Sequence, residues 1–283
     1  HDAAMAVVEF DKKGPGKILW AAHAERYSKI KNDHFLNWEI VNEANTFGPF
    51  NKVVYYEKPL LKKTRQLYAG QWKDALSYTE MPQWHLDHFN IKIDEYVRHH
   101  DSHAAAGYFT SPYKDAVILT VDAIGEWETV SISKGYNQKE IERMENIKYP
   151  HSLGILYSAF THRCGLKPAE EEYILMGMAA YGKPKYKDNI YNDFVYQSPF
   201  KLKKNLHRGL GDWHPEADPM DLAASIQAVT EECLADLWYR ASKYAGFGNK
   251  NLVYAGGVAL NCAANKVLAN LGLFDNIWII PNP

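Results

Sequence analysis

His99 and His103 stand four residues apart in the run Arg98-His99-His100-Asp101-Ser102-His103-Ala104. On a helix, two such imidazoles share one face with Cβ atoms roughly 5–6 Å apart, close enough to bind one metal ion together. A third donor is then needed. Asp122 is the nearest good candidate, placed at the end of the apolar run 116–121 and just before a glycine-bearing turn. Two histidines and a carboxylate with open positions suit Fe(II) and, less selectively, Mn(II) or Zn(II). Each piece alone has a plainer reading, since histidine pairs on helices are often surface or core neighbours and an Asp before Gly often only forms a turn. The three together favour a site.

A second constellation is Tyr254-Ala255-Gly256-Gly257-Val258-Ala259-Leu260-Asn261. Two glycines between a strand and a helix let the backbone approach a ligand, and a helix start offers unpaired N–H groups to a phosphate. Asn261, one turn further on, carries groups able to bond a ribose or phosphate oxygen. The same junction also serves as a packing device in many folds. The run Met176-Gly177-Met178-Ala179-Ala180-Tyr181-Gly182, at a helix end, is either a glycine-permitted close helix contact or part of a pocket wall, and alone reads as core.

These residues need strands and helices to hold them. Residues 5–10 and 17–22, separated by a Gly-Pro-Gly turn, predict a β-hairpin. Helices are predicted over 38–46 and 58–68, a short strand over 52–56, and a further helix, bearing the histidines, over 98–108. Strands follow at 116–121, 127–134 and 140–148, then helices at 152–164 and 170–180. A polar, aromatic insertion covers about 183–219, after which an amphipathic helix over 221–244 aligns Leu222, Ile226, Val229, Cys233, Leu237 and Trp238 on one side. A strand at 252–254, a helix at 258–271 and a strand at 277–280 complete a βαβ unit. The element order suggests a duplicated α/β architecture.

With 46% hydrophobic and 23% charged residues over 283, the chain can bury a substantial core. The net charge of −2 excludes any global electrostatic argument for nucleic acid or membrane. Local basic runs at 183–187 and 201–208, interleaved with tyrosines, leave a polyanion contact open. Three widely spaced cysteines argue against a disulfide scaffold, and no apolar run of about 18 residues occurs. A cytoplasmic protein with no membrane partner is therefore expected. Because His1 directly precedes a strand-like run, a preceding segment is expected in the natural protein.

Six ordered segments resemble the NodU/CmcH family of O-carbamoyltransferases: His1-Asp2-Ala3-Ala4, Glu25-Arg26-Tyr27-Ser28-Lys29-Ile30-Lys31, the His99 to Ala104 run, Asp122-Ala123-Ile124-Gly125-Glu126, Met176 through Gly182, and Gly256-Gly257-Val258-Ala259-Leu260-Asn261-Cys262. The resemblance implies an actin/Hsp70-like fold of duplicated RNase H-like lobes, at 1–112 and 113–283 with the insertion in the second. It is similar in this to the tRNA threonylcarbamoyltransferase catalytic subunit. It implies iron held by His99, His103 and Asp122, catalytic roles for His1 and His103, and a nucleotide site at Gly125, Gly177, Gly256, Gly257 and Asn261. The implied reaction makes carbamoyl-adenylate from carbamoyl phosphate and ATP in a separate YrdC-like domain, expected beyond residue 283, and passes the carbamoyl group to an acceptor hydroxyl. That acceptor is a small molecule by family default, with a hydroxymethylated DNA base as an alternative; a homodimer is compatible, and a non-catalytic metal- or nucleotide-binding fragment is the competing reading. N-carbamoylation of tRNA adenosine, within the same fold, is disfavoured by the Glu25 to Lys31 match and by Ala259-Leu260 before Asn261. Two departures stand out: Ala123 replaces a usual glycine, and Ile174 replaces a frequent lysine.

Overall fold

The computed structural model describes residues 3–10, 16–196, 198–246 and 250–282. His1, expected near the reacting groups, lies outside the described residues. The chain divides into two compact units, His1–Arg98 and His99–Pro283. The helix bearing the histidines is thus grouped with the sheet that follows it.

The first unit contains the hairpin β1 (Ala4–Glu9) and β2 (Lys17–His23), then helices α1 (Glu25–Ser28) and α2 (Trp38–Asn45). Strand β3 (Val54–Tyr55), helices α3 (Pro59–Tyr68), α4 (Trp72–Leu76) and α5 (Pro82–Asp87), and strand β4 (Glu95–Tyr96) complete it. Local chemistry explains the helix starts. Asn37 caps α2 by accepting a bond from the Ile40 amide at 3.0 Å, and Pro59 opens α3 where no amide donor is needed. β3 pairs in parallel with β4, so the described residues of this unit carry only two-stranded sheets. Many of its apolar side chains, including Leu60, Tyr68, Trp72 and Leu76, are exposed.

The second unit is built on one five-stranded sheet. Its elements run α6 (His99–Phe109), β5 (Ala116–Val121), β6 (Glu128–Tyr136), β7 (Glu140–Lys148), α7 (Leu153–Arg163), α8 (Glu172–Met178), α9 (Lys187–Phe194), β8 (Val195–Tyr196), β9 (Lys201–Leu202), α10 (Pro219–Ser242), β10 (Asn251–Ala255), α11 (Cys262–Ala269) and β11 (Asn276–Trp278). The strand order is β11-β10-β5-β6-β7. β5, β6 and β7 form an antiparallel meander, whereas β10 and β11 lie parallel to β5. β5 is buried at every position, as expected of a central strand covered on both faces.

Strand alternation assigns the two faces. Ile118 of β5 and Val253 of β10 pack against Ala104 and Tyr108 of α6, and a Cβ on Gly107 would come within 2.7 Å of Val253. On the opposite face Tyr254 meets Trp238 of α10, with ring centroids 5.5 Å apart. The six residues expected along one side of α10 are all buried, and the fourteen buried positions of this 24-residue helix show that it is enclosed on more than that side. The insertion is folded: Phe194 and Trp213 pack edge-on against Phe160 of α7.

One expectation is corrected at the β10 junction. A continuous helix over 258–271 is replaced by a 3-10 turn, Gly257–Leu260, and α11 starts only at Cys262. The cause is local. Gly256 adopts φ +89°, and the Asn261 side chain accepts from the Ala264 amide at 3.0 Å, so the helix is capped there.

Candidate metal centre

α6 and the loop after β5 bring the three expected donors together. His99 Nε2 lies 2.9 Å from Asp122 Oδ2, His103 Nε2 lies 3.0 Å from His99 Nε2, and His103 Nε2 is 3.6 Å from the same carboxylate oxygen. One ligand atom from each residue falls within 4.8 Å of the others. Donors bound at about 2.0–2.2 Å around one ion stand roughly 3.0–3.5 Å apart, so the spacing fits a metal held on one face. The donor chemistry, two imidazoles and a carboxylate, fits equally. All three side chains are largely buried, at 18%, 21% and 16% exposure.

The electrostatics agree with that role. Burial pushes the Asp122 carboxyl up, but hydrogen bonds with His103 and His99 outweigh it and hold the group well below its ordinary value. Asp122 therefore keeps its charge to lower pH than a free carboxylate does. His100, between the two ligands in sequence, points elsewhere. It is fully buried, its Nδ1 is 3.2 Å from Ser131 Oγ, and burial pushes its pKa down to about 3, so it is a neutral core histidine.

The loop 122–128 is fastened at several points. The Asp122 amide donates to Thr129 O at 2.9 Å and the Gly125 amide to Glu128 O at 3.0 Å. Ser152 caps α7 through Ile155 N and also donates to the Ala123 carbonyl. A Cβ on Gly154 would stand 2.6 Å from Ala123 Cα, so the loop lies directly on the start of α7. Ala123 is not among the described residues of positive φ, so the alanine in place of the usual glycine meets no demand for a left-handed backbone.

The five glycine and asparagine positions expected at a nucleotide are spread over different environments. Gly125 is buried and faces α6: a Cβ there would meet His99 Cβ at 3.0 Å and His100 Cδ2 at 3.2 Å. Gly256 is buried beside β5, where an added Cβ would come 2.4 Å from Val121 O. Gly257 is exposed, and its amide donates to Asp122 Oδ1 at 3.3 Å. Asn261, besides capping α11, exchanges two hydrogen bonds with Gln227, at 2.9 and 3.1 Å. Gly177 is exposed with nothing within 4 Å of an added Cβ, so the expected core or close contact there is absent. The crowded glycine of that segment is Gly182, whose Cβ would fall 1.9 Å from Met220 O.

Four lysines of the basic runs have partners within the fold. Lys185 pairs with Asp221 at 2.5 Å and Lys187 with Glu232 at 2.8 Å. Lys203 and Lys204 lie over the Tyr196 and Phe194 rings. Among the described residues, no helix is long and apolar enough to cross a membrane.

Residues 64–283, most of the chain, match the family model described as carbamoyltransferase N-terminus. The chain belongs to the carbamoyltransferase family. Among curated relatives of this carbamoyltransferase chain, uncharacterized protein sll1178 of Synechocystis sp. is 34% identical over 99% of this chain and 53% of that protein. Nodulation protein NolNO of Sinorhizobium fredii is 29% identical over 99% of this chain and 44% of its own length. Nodulation protein U of the same species is 38% identical over a shorter stretch, 23% of this chain and 12% of that protein. The chain thus spans about half the length of the first two of these relatives. The resemblance read from the six sequence segments is borne out. A solved structure, component A of (R)-2-hydroxyglutaryl-CoA dehydratase from Acidaminococcus fermentans, overlaps with a TM-score of 0.41 at 15% identity, covering 69% of this chain and 65% of that one; so loose an overlap carries no argument.

Proposed function

We propose that this carbamoyltransferase chain is the metal-binding part of an O-carbamoyltransferase, which moves a carbamoyl group from carbamoyl-adenylate, made from carbamoyl phosphate and ATP, to an acceptor hydroxyl with release of AMP. The observation that carries the reading is the convergence of His99, His103 and Asp122 in a chain of this family. An actin/Hsp70-like arrangement of lobes, a cytoplasmic setting and a nucleotide near Gly256 and Gly257 belong to the same proposal.

A divalent ion, Fe(II) first and Mn(II) or Zn(II) as alternatives, supplies Lewis-acid polarisation of a carbonyl oxygen when bound. The chain's residues supply the rest. His99 and His103 present Nε2 lone pairs as neutral ligands, so His103 serves the reaction through ligation. Asp122 divides its oxygens, Oδ2 toward the histidines and Oδ1 toward the Gly257 amide. That bond orients the exposed Gly257 backbone beside the donors, where a phosphate-bearing ligand can approach a chain without side chains. Asn261 acts on such a ligand indirectly, by fixing the start of α11, since its amide is already bonded to Gln227. His1 is the proposed base for the acceptor hydroxyl. A small-molecule acceptor is the first choice, a hydroxymethylated DNA base the alternative; the pairing of Lys185 with Asp221 and of Lys187 with Glu232 lowers the local positive charge such a base would need.

The test is metal content and carbamoyl transfer measured on full-length wild-type and His99→Ala protein. Loss of bound metal and of transfer together is the expected result. Transfer that survives complete loss of metal would sink the reading.

A further inference from the structure

The mechanism above gives no task to Glu126. Glu126 is 4% exposed, and burying a carboxylate is costly unless hydrogen bonds compensate. Its two oxygens lie 3.1 and 3.3 Å from the backbone amide of His99, the first residue of α6. A carboxylate at this position satisfies an amide that the helix itself cannot pair and sits at the positive end of the helix dipole.

The placement has a particular consequence. Asp122 and Glu126 belong to one loop, four residues apart, and between them Gly125 packs on His99 Cβ. The loop that supplies one ligand therefore grips the residue that supplies another. A second restraint acts on the same turn of helix: Arg143 of β7 pairs with Asp101 of α6 and, at 2.9 Å, with Glu128. Glu128 also accepts from Asn146 at 3.0 Å. Together these contacts set how far α6 slides along its axis and how far it turns.

We propose that Glu126 is a positioning residue of the metal centre, holding His99, and through the helix His103, in register with Asp122. The proposal rests on the metal reading above. Groups that act on metal ligands from behind alter affinity without touching the ion, typically by roughly 10- to 100-fold.

The experiment measures Mn(II) affinity by chelator competition, and the visible spectrum of the Co(II)-loaded protein, for the full chain and for E126A, E126Q and D218A. Asp218 caps α10 by accepting from the Met220 amide at 2.8 Å, on a helix that carries none of the three donors, so D218A serves as a comparison loss of stability. E126A is expected to weaken Mn(II) binding by roughly 10- to 100-fold and to change the Co(II) spectrum. E126Q, which keeps an acceptor oxygen, is expected to fall between E126A and wild type and preserves the test should E126A not fold. D218A is expected to lower Tm and leave affinity within about twofold of wild type. Wild-type affinity and an unchanged spectrum in both Glu126 variants would overturn the proposal, as would an equal loss of affinity in D218A. A wild-type chain that binds none of Mn(II), Co(II) or Fe(II) would instead overturn the metal reading itself.

Discussion

The ends of β5 and β10 lie side by side, with Thr120 opposite Ala255, yet the two corners that follow them are made of opposite materials. After β5 the chemistry sits in side chains: Asp122 faces two imidazoles, and the backbone around it is ordinary enough to accept Ala123. After β10 the chemistry sits in the backbone: Gly256 has positive φ, and a Cβ would enter the main chain of β5. The first corner should be most sensitive to a change of functional group at Asp122, the second to a change of backbone freedom at Gly256. Open α/β sheets bind ligands outside the carboxyl ends of such strands, which is where the proposed cation site and the proposed approach for an anion lie.

Three substitutions at the corners and one on α8 test the contrast. The largest effect is expected from Asp122→Asn, which removes the anionic ligand; metal binding should be lost, as measured by elemental analysis, while the fold persists. The same pair of proteins carries a pH signature. Because Asp122 is held below its ordinary value of 3.8, its ionised form stabilises the native state; that contribution is complete above 3.8 and is lost as pH falls through the lower native value. In the metal-free proteins, the Tm gap between wild type and Asp122→Asn should therefore close on acidification below 3.8, and a gap independent of pH would refute the assigned interaction.

Gly256→Ala comes next, with a destabilisation of roughly 3 kcal/mol or more in chemical denaturation, from the positive φ and the backbone clash combined. Asn261→Ala removes the cap of α11 and is expected to cost about 1 kcal/mol with metal affinity intact. The smallest effect belongs to Gly177→Ala, near neutral within about 0.5 kcal/mol, because its Cβ meets open space. A Gly177→Ala protein as unstable as Gly256→Ala would erase the distinction drawn between crowded and free glycines.

The elements that read clearly from sequence were those whose signals are local. α3 begins at Pro59 and α10 buries the expected row, because proline chemistry and helical periodicity act over a few residues. The histidine pair was legible for the same reason, four positions on one helix. What escaped depends on partners far along the chain. Glu126 and His99 are 27 residues apart, and no spacing rule connects a loop acid to a helix amide at that distance. The ion pairs of Lys185 and Lys187 were hidden because Asp221 and Glu232, their partners, lie 36 and 45 residues later. The late start of α11 was hidden because Gly256 looks identical in sequence whether it opens a helix or forces a separate turn before it.

β5 occupies the middle of the sheet, paired on both sides and buried throughout. Its amides should therefore be among the last to exchange with solvent deuterium, since opening them requires dismantling two ladders at once. Asp122 is anchored one residue past that strand and its own amide is bonded to Thr129, so it is a fixed post. The histidines ride on the first turns of a helix, which open by fraying. Ion release should then follow the exchange rate of the α6 amides and be far slower than fraying of an unrestrained helix end, with the carboxylate staying in place while the imidazoles let go.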